Sequence, residues 1–185
     1  MVRTRVGYAG GSRDNPDYHN LGDHTECLRV EYEPEIVTCE DILEEFWDRH
    51  DPTRQSPMTQ YENLLLYDGD HQKKTIERSI HRSLSQDPGD LRTRIEPLNT
   101  FYAAEDYHQN YYLRSNPTLK DIVENSQHDF LNSPLATKLN ALAANELTAR
   151  ELFEQLRVYD IDDGIIDRLH PDHDQRDTGK GSANR

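Results

Sequence analysis

Two side chains in this sequence could act as sulfur nucleophiles, Cys27 and Cys39. The thiolate is the reactive form, so each is judged by what would lower its pKa. Cys39 falls at the start of a helical pattern, where the exposed N–H groups favour an anion. Cys27 directly follows Glu26, and neighbouring strand residues point to opposite faces, so a pocket facing Glu26 would not contain Cys27. The stretch before Glu26 is a long polar loop between two strand-like runs. Gly10 and Gly11 allow the sharp bend that starts it, and Asn15-Pro16 adds a second turn. Such a loop is a usual place for a site, and this one carries Tyr18, His24 and Glu26 near its end. Nine histidines raise the question of a metal. His24, His50 and His108 are scattered, and His170 with His173 lies in a polar tail, so no zinc-site spacing is present and no metal is expected.

The bulk numbers narrow the classes. At 185 residues the chain holds one domain with extensions. A net charge of −14 argues against nucleic acid or an anionic membrane as partner, since both call for a basic patch. The sequence has no apolar run able to span a bilayer and no signal-peptide pattern. Two cysteines make no disulfide framework, which points to a reducing, cytoplasmic setting.

The elements that must position the loop follow in order. Val2 to Ala9 and Glu26 to Glu33 read as strands. Thr38 caps a helix with Asp41 three residues on, and Ile42, Leu43, Phe46 and Trp47 give it one apolar face before Asp51-Pro52 stops it. Asn63 to Tyr67 reads as a strand buried on both faces. Asp70 to about Gln86 is a charged helix, Arg92 to Leu98 a strand with Ile95 inward, and Ala103 to Leu113 a short helix. Ser133-Pro134 and Thr148 with Glu151 open two further helices, whose leucine stripes are expected to pack back on the domain. His170 to Arg185 shows no apolar repeat and is expected to be disordered. Alternating strands and helices give an α/β or α+β layer structure.

Several unusual phrases occur in one collinear order: VGYAGG at Val6 to Gly11, NPDY at Asn15 to Tyr18, LGDHTE at Leu21 to Glu26, FWDRHDPT at Phe46 to Thr53, TQY at Thr59 to Tyr61, and FYAAEDYHQNYY at Phe101 to Tyr112. In these the chain resembles the peptide methionine sulfoxide reductase A family. The resemblance implies a two-layer sandwich with a ferredoxin-like core over residues 1–115, a helical extension over 116–169 and a tail over 170–185. It also implies thiol-dependent reduction of methionine-S-sulfoxide to methionine, as protein repair under oxidative stress. No bound cofactor is implied. The partners are proteins or peptides containing methionine sulfoxide, with thioredoxin, or dithiothreitol in vitro, as external reductant.

Residue by residue, the resemblance makes Glu26 the acid that protonates the departing oxygen, and Tyr18 and Tyr61 the phenols that hold it. A proton-donating Glu26 calls for an apolar pocket. Two departures stand out. The family arginine after the tyrosine is Glu62 here, and no aspartate lies between Thr53 and Tyr61. The family nucleophile belongs to a Gly-Cys-Phe-Trp-Gly loop that these 185 residues do not contain. Its strand, loop and helix are expected upstream of Met1, which would leave a strand edge unpaired and a helix face uncovered. Cys27 and Cys39 then read as structural thiols, and the chain by itself as inactive. The alternative is a non-catalytic relative that binds oxidised or methionine-rich peptides.

Overall fold

The computed structural model describes residues 3–83, 90–126 and 128–156, and the chain divides into two compact units, residues 1–109 and 110–185. The first unit runs β1 (Arg3–Ala9), β2 (Thr25–Glu31), α1 (Cys39–Asp48), a 3₁₀ turn (Thr59–Tyr61), β3 (Leu64–Tyr67), α2 (Asp70–Ser83), β4 (Arg94–Pro97), β5 (Tyr102–Ala103) and a second 3₁₀ turn (Asp106–His108). The described residues of the second form four helices: α3 (Tyr111–Arg114), α4 (Pro117–Glu124), α5 (Pro134–Ala143) and α6 (Ala149–Leu156). This mixed arrangement of small sheets and helices is the α+β class expected from the pattern. Among the described residues no helix is long and apolar enough to cross a membrane.

β1 is the organising strand. Its antiparallel register with β2 runs from Arg3 opposite Glu31 to Ala9 opposite Thr25, and places Tyr8 opposite Glu26. On its other edge it pairs with β5, Gly7 opposite Ala103 and Tyr8 opposite Tyr102, so the sheet order is β2-β1-β5. Just past β5 the Ala104 N–H donates to the Val6 carbonyl (3.0 Å). The Gln109 side-chain amide completes this edge: its oxygen accepts the Val6 N–H (3.0 Å), and its nitrogen donates to the Val6 carbonyl (2.8 Å) and the Ala104 carbonyl (3.0 Å). Gly7 makes the close approach of β5 possible. A Cβ there would lie 2.3 Å from the Tyr102 carbonyl oxygen and 2.5 Å from the Phe101 ring. Gly7→Ala should therefore cost about 1–3 kcal/mol of overpacking. Faster amide exchange at Tyr102 and Ala103 with a lower urea midpoint checks this, and an unchanged midpoint refutes it.

α1 begins where the sequence places it. The Thr38 hydroxyl accepts the Asp41 N–H (3.1 Å) while the Asp41 carboxylate accepts the Thr38 N–H (2.8 Å), and such a cap contributes about 1 kcal/mol. Its apolar face buries Leu43 and Trp47 against Ile76 of α2, and Leu65, Tyr67 and Ile95 pack on the same cluster. These last three come from the second sheet, in which β3 and β4 run parallel with Leu65 opposite Ile95. Among the described strands, β2 pairs with β1 alone and β3 with β4 alone.

Two elements differ from the sequence reading. β3 is half-buried along its length, not buried on both faces, because it shares a two-stranded sheet and only Leu65 and Tyr67 face the helix cluster. Residues 103–113 are not one helix. Their first residue, Ala103, is drawn into β5, a 3₁₀ turn follows, and Asn110 adopts a left-handed backbone (φ 50°) before α3. Left-handed residues do not continue a helix.

In the second unit the caps are the expected ones. The Ser133 hydroxyl accepts the Ala136 N–H with Pro134 in the first turn, and Thr148 with Glu151 closes the start of α6. The leucine stripes meet one another: Leu135 and Leu139 of α5 and Leu152 of α6 enclose Leu113, Ile122 and Val123. α4 was not anticipated, although Asn116-Pro117 is the same cap-and-proline signal, with the Asn116 side chain accepting the Leu119 N–H. The expectations for Val2, for the end of α2 near Gln86, and for the chain from residue 157 through the tail at 170–185 lie outside the described residues.

Candidate functional site

The loop between β1 and β2 is held shut by its own side chains. His24 is buried; its Nδ1 accepts the Gly11 N–H (3.2 Å). The proton is therefore on Nε2, which donates to the Arg13 carbonyl (2.8 Å). Asp23 accepts from the Ser12 N–H, the Ser12 hydroxyl and the Arg13 N–H, and the Ser12 bonds hold its carboxyl down at about 2. Gly10 takes a left-handed backbone (φ 78°), and a Cβ there would lie 2.6 Å from Leu64 of β3. The loop's shape thus depends on glycine at its bend and on His24 at its close.

Glu26 is the first residue past that loop with its side chain in solvent. Its carboxylate accepts a hydrogen bond from the Gln60 amide at 2.6 Å. The neighbouring Thr25 hydroxyl donates to the Thr59 carbonyl at 2.9 Å. Two bonds across more than thirty residues therefore dock the Thr59–Tyr61 turn on the start of β2, with Tyr61 next in sequence to the Gln60 that bonds Glu26. The Tyr61 ring is 54% exposed, so it is presented and not packed. The enclosed apolar setting expected for Glu26 is not formed by the described residues.

Tyr18 is tied in from the other side, through Glu105. That carboxylate accepts the Tyr18 N–H (3.0 Å) and the hydroxyl of buried Tyr8 (2.8 Å), the residue opposite Glu26 in the sheet. Burial pushes the Glu105 carboxyl up, but the bonds from Tyr18 and Tyr8 outweigh it and leave the pKa below the ordinary range. Burial, then the bond to Glu105, raises the Tyr8 phenol. The Tyr18 ring stays 41% exposed and leans on His108, with ring centres 4.8 Å apart. Glu26, Tyr61 and Tyr18 are thus all borne by one sheet end, with Gln60 and Glu105 as their holders.

Neither cysteine joins them. Cys27 hydrogen-bonds the Thr25 carbonyl (3.4 Å), and burial pushes its thiol up to about 11. Cys39 packs beside the α1–α2 cluster. Burial raises its thiol, and a hydrogen bond from Tyr32 does not reverse this. Helix position alone suggested activation; packing decides against it. His50 is a structural group, bonded to the Phe46 carbonyl and the Thr93 hydroxyl. Among the described residues no three His, Cys, Asp or Glu side chains form a metal-holding group.

The comparisons with known proteins point to one family. The family model described as peptide methionine sulfoxide reductase matches residues 1–139. The chain belongs to this family. Peptide methionine sulfoxide reductase A5 of Oryza sativa subsp. japonica is 39% identical over 151 residues, covering 78% of this chain and 59% of the rice protein. Peptide methionine sulfoxide reductase MsrA of Methanothermobacter thermautotrophicus is 41% identical over 130 residues, 63% of this chain and 75% of that protein. Among solved structures, that of Mxr1 from Saccharomyces cerevisiae in reduced form matches with a TM-score of 0.53 and 33% identity. That match covers 62% of this chain and 71% of the yeast chain. This methionine sulfoxide reductase family member therefore spans 59% of the length of its rice relative.

Gln60, Glu105 and His24 were not singled out as holders from sequence. Each lies inside a quoted motif, but a motif does not reveal which neighbour a side chain reaches across the fold.

Proposed function

We propose that these residues form the substrate-holding face of a peptide-methionine (S)-S-oxide reductase. The observation that carries this reading is the Glu26–Gln60 bond, which joins an exposed carboxyl to a turn presenting Tyr61. Tyr18 and Tyr61 offer neutral phenol donors to the sulfoxide oxygen, and they add no charge beside the acid. Glu26 supplies the proton as the oxygen leaves methionine sulfur. A bound methionine side chain and its flanking peptide would themselves cover Glu26 and supply the apolar enclosure that the described residues do not form.

Cys27 follows Glu26 on a strand and so points to the other face. Cys39 packs beside the α1–α2 cluster, where burial raises its thiol. The attacking thiol is therefore assigned to neither and is supplied from outside these 185 residues. In the reaction the thiolate attacks the sulfoxide sulfur and the oxygen takes the proton from Glu26. The S–O bond to methionine and the transient sulfur–sulfur contact then break as the oxygen bonds to the attacking sulfur, which releases methionine and leaves a sulfenic acid. An external dithiol, thioredoxin or dithiothreitol, then removes that oxygen as water and is itself oxidised. Two free thiols suit the reducing cytoplasm in which such repair of oxidised proteins would run.

The 185-residue chain, assayed with dithiothreitol and a methionine-S-sulfoxide peptide, should bind the peptide without turnover above background. A longer protein that includes the coding sequence upstream of Met1 should turn over the S epimer only. Turnover by the short chain that disappears in Cys39→Ser would overturn the thiol assignment. Binding with no turnover in either form would favour a non-catalytic binder of oxidised peptides.

A further inference from the structure

Glu62, the residue after Tyr61, stands where the resemblance leads one to expect arginine, and the structure shows what it does. Its carboxylate pairs with Arg94 of β4. The same guanidinium makes two bonds to Glu96 (3.1 and 2.9 Å) and reaches the Gly10 carbonyl at 3.4 Å. The Arg94 backbone N–H donates to the Asn63 carbonyl (2.9 Å). One side chain therefore touches the glycine bend of the site loop and the residue that follows the tyrosine turn, 52 positions apart in sequence, from a strand of the other sheet. Glu62 and Arg94 are also more enclosed than the surface pairs: their side chains are 18% and 32% exposed, against 65% and 69% for Arg49 and Glu45.

We propose that Arg94 is a positioning residue of the site, fixing Tyr61 through Glu62 and the loop bend through Gly10. The fork geometry is what permits this. A planar guanidinium carries five N–H donors in fixed directions, whereas a lysine ammonium is a point charge that serves one direction well. Without the Arg94 side chain, the turn keeps its links through Thr25 and Gln60, and Asn63 keeps its bonds to Gln55, Asp51 and Arg54. Glu62, the residue directly after Tyr61, loses its ion-pair anchor. Partly enclosed carboxylates bonded by a guanidinium hold more strongly than exposed pairs. The role in substrate holding rests on the reading of Tyr61 given above; the role in holding the turn does not.

Amide exchange separates the two. The Tyr61 N–H is bonded to the Met58 carbonyl and the Gly11 N–H to His24, so both are local reporters. In the 185-residue chain, Arg94→Gln should speed exchange at both amides by roughly tenfold or more, while amides of α1 from Leu43 to Trp47 stay unchanged. Glu62→Gln should speed Tyr61 and leave Gly11 alone, and the double variant should add nothing at Tyr61 beyond Arg94→Gln. Arg94→Lys, which is less disruptive, should protect Tyr61 and still release Gly11. Titration with a methionine-S-sulfoxide peptide should show roughly tenfold weaker binding in Arg94→Gln. Unchanged exchange at Tyr61 and Gly11, or equal acceleration across α1, would overturn the positioning role. Local acceleration together with no peptide binding by the unsubstituted chain would instead overturn the assignment of Tyr61 to substrate.

Discussion

In a form of the protein that carries its attacking thiol, Glu26→Gln should lower turnover of a methionine-S-sulfoxide peptide by roughly 10²–10⁴-fold, the usual contribution of a general acid. KM should move little, because a proton given only as the S–O bond breaks stabilises the transition state and not the bound substrate. The substitution is a fair test because glutamine keeps the shape of the side chain, and its carbonyl oxygen can still accept the bond that Gln60 donates at 2.6 Å. What is lost is the transferable proton. Steady-state kinetics on the S epimer decide the matter. A rise in KM with turnover intact would make Glu26 a binding group, and unchanged kinetics would remove it from the site.

Trp47→Ala should destabilise the first unit by about 3–5 kcal/mol, the range for deleting a buried aromatic ring. Trp47 is 6% exposed and sits between Leu43 and Ile76 in the cluster that joins α1, α2 and the β3–β4 sheet. Its indole N–H also donates to Ser79 at 2.9 Å. Trp47→Phe divides the effect: most of the ring remains, the hydrogen bond goes, and the loss should be nearer 1 kcal/mol. Ser79 tolerates this because its hydroxyl donates to the Ile76 carbonyl in either case. As Trp47 is the only tryptophan, urea unfolding must be followed by circular dichroism. Equal losses in the two variants would show that the hydrogen bond, and not the ring, carries the packing.

What could be read from sequence was whatever local chemistry decides. The Thr38–Asp41 box, the Ser133-Pro134 start and the Thr148–Glu151 cap are each settled within four residues, and the structure has them all. The apolar face of α1 was equally plain, since a helix's period shows in its own residues. β5 was not legible, because a two-residue strand exists only through its neighbour: the bare Cα of Gly7 admits the Tyr102 carbonyl. Continuous leucines at 64–66 suggested full burial, yet burial depends on how many strands and layers come to lie on either side. At the site, residue types were legible but their surroundings were not. Cys39 sits at a helix start yet was read as a structural thiol, and the structure packs it beside the α1–α2 cluster, where burial raises its thiol. Glu62 looked like a defect in a motif until Arg94, 32 positions away in sequence, was found beside it.

The amide of Gln109 has a meaning for solubility as well as for shape. An unpaired stretch of strand offers N–H and C=O groups to any passing chain, and this is how folded proteins stick edge to edge. β5 covers β1 at Gly7 and Tyr8, and the Ala104 N–H reaches the Val6 carbonyl, which would leave the Val6 N–H as such an invitation. Gln109 accepts that N–H and, with the same side chain, bridges to the Val6 and Ala104 carbonyls. The plug belongs to the last residue of the first unit. Replacing it with a side chain that cannot both give and accept would open the Val6 N–H to strands of other copies.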